Sequence, residues 1–345
     1  MSSKKQHRQG KLKNKRQKAE KSKTKNRVLL ALVGLLVLVF GLGIKGFWAG
    51  QKGVNQHTSK TQSTKHPVVV GQADACAKNP AFPLKYGLHP PYFIDLRQLD
   101  EPGLRIIEAK KGGKVLQLDS WKKEGTLGPY TLDKNGVIYT APIPFVNLLG
   151  RPPLSYNRIL KVDAATGEMS ELMHLPHAQK PTEEQPYGVV GMTYDCSNHS
   201  LYVSSLAGST GESEVGRIYH IDLKSKKILH QLDGFDALGL GVFTMKSGKK
   251  LYMGSARSPE IFSIDLDDDG GFVGQPVFEF SLAALEGGSY DNAHRIRFLR
   301  GNVLKIKGIE FSFSLMAASD PQRNIYLFDY DDQGDKWVFR EAHPQ

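Results

Sequence analysis

The sequence predicts an all-β fold, a six-bladed β-propeller, preceded by one transmembrane helix. Three observations carry this reading. Four segments repeat one strand–turn–strand pattern, the runs between them are short and bounded by Asp, Asn and Gly, and a single unbroken apolar run follows a basic N-terminal tail.

The tail comes first. Of the 46 Lys and Arg in this 345-residue chain, twelve lie in residues 1–27, beside the single acid Glu20. The remaining 318 residues carry 34 basic and 34 acidic side chains, so the net charge of +11 belongs to the tail alone. The larger part has no overall field to attract phosphate, and nucleic acid is not expected as its partner. The tail reads as a disordered orientation signal resting on anionic headgroups; the sharper alternative is a cytoplasmic contact with nucleic acid or an acidic protein.

From Val28 to Ile44 no side chain is polar. As a helix that run spans about 25 Å, and continuing through Lys45, Phe47 and Trp48 to Ala49 gives enough length for a bilayer. A cleaved secretory signal is the alternative, opposed by the long basic region and by the lack of a small-x-small site after the run. With Lys and Arg held in the cytoplasm, residues 1–27 are a cytoplasmic tail and 28–49 the span. The C-terminal domain is then extracytoplasmic, periplasmic or extracellular. Residues 50–72, rich in Gln, Lys, Thr, Ser and His, read as a flexible stalk. Residues 73–345 form the propeller domain. Cys76 and Cys196 are a candidate disulfide that an oxidising compartment would permit.

Within the domain the repeat is explicit. One segment runs Leu127-Gly-Pro-Tyr130 to Thr140-Ala-Pro142 and continues at Arg158-Ile-Leu-Lys-Val-Asp163. The next runs Tyr187-Gly-Val-Val-Gly-Met-Thr-Tyr194 to Leu201-Tyr-Val-Ser-Ser205 and continues at Arg217-Ile-Tyr-His-Ile-Asp222. Leu238-Gly-Leu-Gly241 to Leu251-Tyr-Met-Gly-Ser255 leads to Glu260-Ile-Phe-Ser-Ile-Asp265, and a fourth unit opens near His294 and includes Asn324-Ile-Tyr-Leu-Phe-Asp329. Four strands every 50–60 residues or so is a propeller blade with long loops. Asp163, Asp222, Asp265 and Asp329 close the third strands, where a tight turn needs a side-chain acceptor. Residues 87–125 supply further strands. At about 45 residues per blade, roughly 260 residues make six blades, with five or seven as the neighbouring solutions.

The pattern Leu201-Tyr-Val-Ser-Ser205…Gly216-Arg-Ile-Tyr-His-Ile-Asp-Leu223 and its echo at 251–266 resemble blades of the six-bladed propellers related to gluconolactonase and strictosidine synthase. Gly191-Met-Thr-Tyr194…Leu201-Tyr-Val-Ser-Ser-Leu-Ala207 is similar to the yellow/royal jelly branch. The resemblance covers about residues 127–340. It implies a Ca²⁺ held in the channel by a Glu, two Asn and an Asp on different blades. No such quartet maps onto this sequence, so no cofactor is assigned.

Motifs of other chemistries are few. Asp265-Leu-Asp-Asp-Asp-Gly-Gly271 starts like a calcium loop, but the twelfth position is Pro276, and the aligned turns elsewhere are ordinary. His174-Leu-Pro-His177 lacks any accompanying metal-ligand cluster, and no phosphate loop or Gly-x-Ser-x-Gly elbow is present. The densest polar group is Tyr290-Asp-Asn-Ala-His-Arg-Ile-Arg297, just before an innermost strand. Asp291 beside His294 suits acid–base work, and Arg295 or Arg297 suits a carboxylate or phosphate; the alternative is a salt-bridged surface loop. Arg257, in a small-residue loop, is expected on the same face, with Tyr130 and Tyr187 at the corresponding positions of other blades. Asp291, His294, Arg295 and Arg257 are therefore expected to converge on the axis as an anion-selective mouth. The Pro-rich insertion Ala141–Pro153 offers Phe145, Val146, Leu148 and Leu149 either as an exposed interaction patch or as packing over the channel mouth. Two function classes follow. The first is a membrane-anchored binding or scaffolding propeller for an anionic small molecule or a protein. The alternative is a metal-dependent hydrolase or lyase of the gluconolactonase/strictosidine synthase type.

Overall fold

The computed structural model describes residues 69–96, 102–144, 156–313 and 323–345. The tail at 1–27, the span at 28–49, most of the stalk and the patch at 145–149 lie outside the described residues. Among the described residues no helix is long and apolar enough to cross a membrane. They hold only one four-residue α-helix, Asp119–Lys122, and two single 3-10 turns at Phe82–Tyr86 and Leu282–Ala284.

The rest is strand. A two-residue β1 (Gly71–Gln72) precedes five antiparallel sheets, each one blade. Blade one has β2 (Tyr92–Asp95), β3 (Arg105–Glu108) and β4 (Val115–Leu116). Blade two has β5 (Leu127–Leu132), β6 (Ile138–Pro142), β7 (Arg158–Val162) and β8 (Met169–His174). Blade three has β9 (Val189–Asp195), β10 (Ser200–Ser205), β11 (Arg217–Asp222) and β12 (Lys227–Asp233). Blade four has β13 (Ala237–Met245), β14 (Gly248–Ser255), β15 (Glu260–Leu266) and β16 (Phe272–Ser281). Blade five has β17 (Asn292–Leu299), β18 (Val303–Ile309), β19 (Asn324–Asp331) and β20 (Lys336–Pro344).

The propeller therefore has five blades, and the six-blade count is corrected. Dividing the domain by a short repeat failed because long hairpin loops, such as 143–157 and 310–323, stretch the blades. The segment from residue 70 to residue 82 also makes no blade of its own; only Gly71 and Gln72 join a sheet, that of blade four. Burial follows the layering. Every residue of β9 and β10 is buried, since an inner strand has a blade on both sides, whereas the outer β12 alternates exposed and half-buried. The inner strands approach so closely that side chains do not fit between them. A Cβ on Gly191 would lie 2.1 Å from the Leu238 carbonyl oxygen, and one on Gly239 would lie 2.6 Å from that of Ala293.

Turn chemistry matches expectation in two blades and shifts in two. Asp163 accepts from the backbone N–H of Ala165 and Thr166, and Asp222 from those of Lys224 and Ser225. In blade four the strand runs one residue past Asp265 and in blade five two past Asp329, so Asp267 and Asp331 take the role. Asp267 accepts from the N–H of Asp269 and Gly271, which makes the calcium-like loop an ordinary turn. Asp265 and Asp329 instead face Lys250 and Arg340 on neighbouring strands.

Residues 70–82 cross the base of the channel as a strap. Gly71 and Gln72, assigned to the stalk by composition, pair with Thr244 and Phe243 of β13. The Ala73 carbonyl accepts from Cys196 N–H at 2.9 Å, and Cys76 is disulfide-bonded to Cys196 with Cα atoms 6.0 Å apart. Lys78 N–H donates to the Asp133 carbonyl, and Ala81 and Phe82 N–H both donate to that of Ala164. The strap ends at Phe82, which meets Trp121 edge-to-face at 5.8 Å; the indole Nε1 donates to the Gly167 carbonyl. One chain segment thus touches the basal turns of blades two and three and the inner strand of blade four.

Candidate functional site

The inner strands β5, β9, β13 and β17 surround a cavity of about 40 Å³, room for two or three waters or one small anion. Pro129, Tyr130 and Thr131 form one wall, and His294 through Arg297 another. Residues 190–193, Gly239 and Leu240 complete it, with Asp74 of the strap on the basal side.

Strand alternation explains which side chains turn which way. On β17, Ile296 and Phe298 enter the core shared with blade four, so Arg295 and Arg297 point to the opposite face. There both guanidinium groups lie against the Tyr130 ring, Arg295 at 5.6 Å and Arg297 at 4.9 Å from its centroid. Arg297 Nη2 also donates to the Tyr130 carbonyl oxygen at 3.4 Å, joining the last inner strand to that of blade two.

His294 is held neutral. Burial pushes its pKa down to about 3, and Arg295, Arg323 and Lys307 add to the effect. Lys307 is also lowered, by burial and then by Arg295 and other cations. Asp74 moves the other way: burial raises its pKa, while Arg297 opposes the rise. The cavity thus holds two guanidinium groups, one neutral imidazole and one carboxylate. That set favours an oxyanion hydrogen-bonded by the Arg pair.

Tyr130, His294 and Arg295 come together as the sequence suggests; Asp291, Arg257 and Tyr187 do not line this cavity. Asp291 is buried inside blade five, accepting from Asn324 Nδ2 at 2.8 Å and Tyr326 Oη at 2.7 Å. It clamps the start of the blade and orients no imidazole. Arg257 is consumed by a loop. It pairs with fully buried Asp236 at 2.7 Å, donates to the carbonyls of Thr210, Gly211 and Ser213, and covers the Phe313 ring at 4.8 Å. Tyr187 meets Phe311 at a tilt, with ring centroids 5.2 Å apart, and donates to the Ser312 carbonyl. With Phe313 these rings rest on Val190, Leu206, Leu238 and Ala256, forming an aromatic cover on the rim opposite the strap.

Sequence reading singled out Arg295 and Arg297 but missed Lys305, Lys307 and Arg323 as members of the same electrostatic group. The signal was present: Arg295-x-Arg297 and Lys305-x-Lys307 alternate at the period of a strand and lie opposite one another in register.

The ligand set that the gluconolactonase-type resemblance implies does not fit here. The lining holds a single carboxylate and no Asn or Glu, and two guanidinium groups would repel a cation. Among the described residues no three His, Cys, Asp or Glu side chains gather closely enough to hold a metal ion.

No family model matches the chain, and no characterised protein matches it in sequence. Similar solved structures include a functionally unknown protein from Desulfotomaculum acetoxidans, 11% identical with a TM-score of 0.38, covering 70% of this chain and 63% of that one. This chain thus spans just under two thirds of that protein's length. Others are a hypothetical selenium-binding protein from Sulfolobus tokodaii (13% identity, TM-score 0.44, 80% of this chain and 81% of that one) and a putative 6-phosphogluconolactonase from Bacteroides fragilis (12% identity, TM-score 0.39, 73% and 80%).

Proposed function

We propose that the chain is a membrane-anchored, extracytoplasmic β-propeller that binds an anionic ligand in its central channel. The observation that carries this reading is the pair Arg295 and Arg297, side by side over Tyr130 in the channel wall beside a neutral His294. Anchoring rests on the apolar run at 28–49 behind the basic tail. The blade motif supports kinship with the gluconolactonase and strictosidine synthase propellers, with their cation position replaced by an anion position. A binding role is favoured over metal-dependent hydrolysis because the lining supplies cations where metal ligands would be needed.

The test is titration of the full-length protein in detergent with inorganic phosphate, comparing wild type with Arg295→Ala/Arg297→Ala. The double variant should bind at least tenfold more weakly, the scale of losing charge-assisted hydrogen bonds. Its melting temperature should hold or rise, because removing like charges relieves repulsion. Equal affinity in the two proteins would remove the channel from consideration.

A further inference from the structure

Five blades in a ring make five interfaces, and four of them are apolar. Blades one and two share a core around Leu104, Ile106, Leu127 and Ile138, and blades two and three one around Tyr139, Ile159 and Tyr194. Blades three and four meet at Tyr202, Ile218 and Leu251, and blades four and five at Phe243, Tyr252 and Ile296. Among the described residues no hydrophobic cluster joins blade five back to blade one.

The two faces that flank this seam explain why. On blade one, Ile94, Ile106 and Leu116 turn toward blade two, which leaves Phe93, Ile107 and Val115 on the other face. Phe93 is 61% and Val115 56% exposed. The same face carries the ion pair Asp95–Arg105. On blade five, the register sets Arg295 opposite Lys307 and Arg297 opposite Lys305. Directly opposed residues share a face, so four half-buried cations form two rungs on the seam side, and Arg323 joins them at the start of β19. Blade five does not exchange a strand with blade one either.

These cations outnumber the carboxylates near them: Arg297 acts on Asp74 and Asp95 acts on Arg295, and no other carboxylate of the described residues is tied to the group. Among the described residues none of the five forms an ion pair. Half-buried cations elsewhere are paired: Lys249 with Asp195, Lys250 with Glu279, Arg257 with Asp236. The field of the five is felt locally, since Lys307 and His294 are both shifted toward neutrality partly by these neighbours. Half-buried like charges in excess of their counter-charges destabilise the fold, and a bound polyanion would reduce that cost.

We propose that the seam between blades one and five is a cleft for a phosphodiester-linked chain, read through its backbone charges along the two cation rungs. The rungs are two residues apart, about 6.6 Å along the strand. An extended polyol phosphate chain repeats on the same scale, so successive phosphates meet successive rungs. Each rung offers two cationic groups to one phosphate. The carbon skeleton between phosphates lies against Phe93, Ile107 and Val115. Arg295 and Arg297 belong both to the rungs and to the channel wall, so the cleft leads into the channel. This inference rests on the anion-binding reading of the channel and names the ligand class.

The experiment uses the full-length protein, titrated with inorganic phosphate, with a poly(glycerol phosphate) oligomer and with an oligothymidylate of equal charge. The basic run at 1–27 also attracts polyanions, so the readout is the difference between wild type and Lys305→Ala/Lys307→Ala. Wild type should bind at least one oligomer tenfold or more tighter than phosphate, and the variant should lose that advantage while still binding phosphate. Of the two, the poly(glycerol phosphate) oligomer should bind tighter, and tighter binding of the oligothymidylate would overturn a polyol phosphate as the occupant. If neither oligomer exceeds phosphate, or if the variant is neutral, the seam proposal fails while the channel reading survives. If phosphate fails to bind wild type at all, both fail. Lys305→Gln/Lys307→Gln serves if the alanine variant does not fold. Across a salt series the difference between wild type and Lys305→Ala/Lys307→Ala should shrink steeply with ionic strength, and a difference that does not change would overturn the proposal.

Discussion

Arg257 and Asp236 form a buried ion pair at 2.7 Å that organises the loop at 209–216. The other Asp236 oxygen takes the Ser209 hydroxyl and, at 2.9 Å, the Gly216 N–H. Burial raises the Asp236 pKa, and Ser209 and Arg257 oppose that rise. Arg257→Ala should therefore destabilise the domain by about 3 kcal/mol, since it strands a buried carboxylate and frees three carbonyls. Chemical denaturation of wild type and variant measures this. A variant within about 0.5 kcal/mol of wild type, the range of an ordinary surface substitution, would contradict the structural role.

Reduction of the Cys76–Cys196 disulfide should cost about 2–4 kcal/mol. The bond closes a loop with a sequence separation of 120, and a closed loop of that length restricts the denatured chain considerably. Urea midpoints with and without reductant, and for Cys76→Ala/Cys196→Ala, should agree with each other and fall below the oxidised wild type. An unchanged midpoint would show that the strap is held by its backbone hydrogen bonds alone.

Stability should decline as pH falls from about 6.5 toward 4. His220 is fully buried between Tyr202 and His230, with Nε2 2.9 Å from the Ser200 hydroxyl. Burial, and then His230, lowers its pKa to about 4. The folded state resists a proton that the unfolded state takes up near 6.5, so the unfolded state binds more protons between the two values. Stability is then lost on acidification, by at most about 1.4 kcal/mol per pH unit for one histidine. Below the folded pKa the loss stops. His294 adds a loss of the same sign down to about pH 3. Urea denaturation at pH 6.5, 5.5 and 4.5 should show the slope, and His220→Phe should flatten it. Parallel curves would reject the assignment. Glu108 acts lower. Lys110, then the N–H groups of Lys114 and His89, hold its pKa at about 2, so its contribution disappears only as pH falls from about 4.5 toward 2.

Strand identity was legible because inner strands such as β9 and β13 are apolar runs and the outer β12 alternates. Tyr202 and Tyr252 sit buried at the same place in successive blades, as their shared Leu-Tyr-x-x-Ser setting suggests. The blade number was not legible, because loop length varies freely at little energetic cost and corrupts any division by repeat length. Gly71 and Gln72 carry no strand signal of their own; β13 imposes their conformation. Among the site residues, Arg295 and His294 were found because they open an inner strand. Asp291 and Arg257 were misplaced because adjacency to a rim does not reveal that a buried partner, Tyr326 or Asp236, already holds the side chain. Lys305 and Lys307 were overlooked singly, since only cross-strand register puts them opposite Arg297 and Arg295.

The route of the chain through Cys76 also decides where tension travels. A pull applied upstream of residue 69 first meets the short pairing of Gly71 and Gln72 with Thr244 and Phe243. Once that yields, the load reaches Cys76 and crosses the covalent bond directly to Cys196. Everything between those cysteines, all of blades one and two and the first strand of blade three, lies in a closed loop through which no tension passes. Under oxidising conditions the protein can be stretched only from Cys196 onward. Under reducing conditions the same pull would unravel it from the strap, blade by blade.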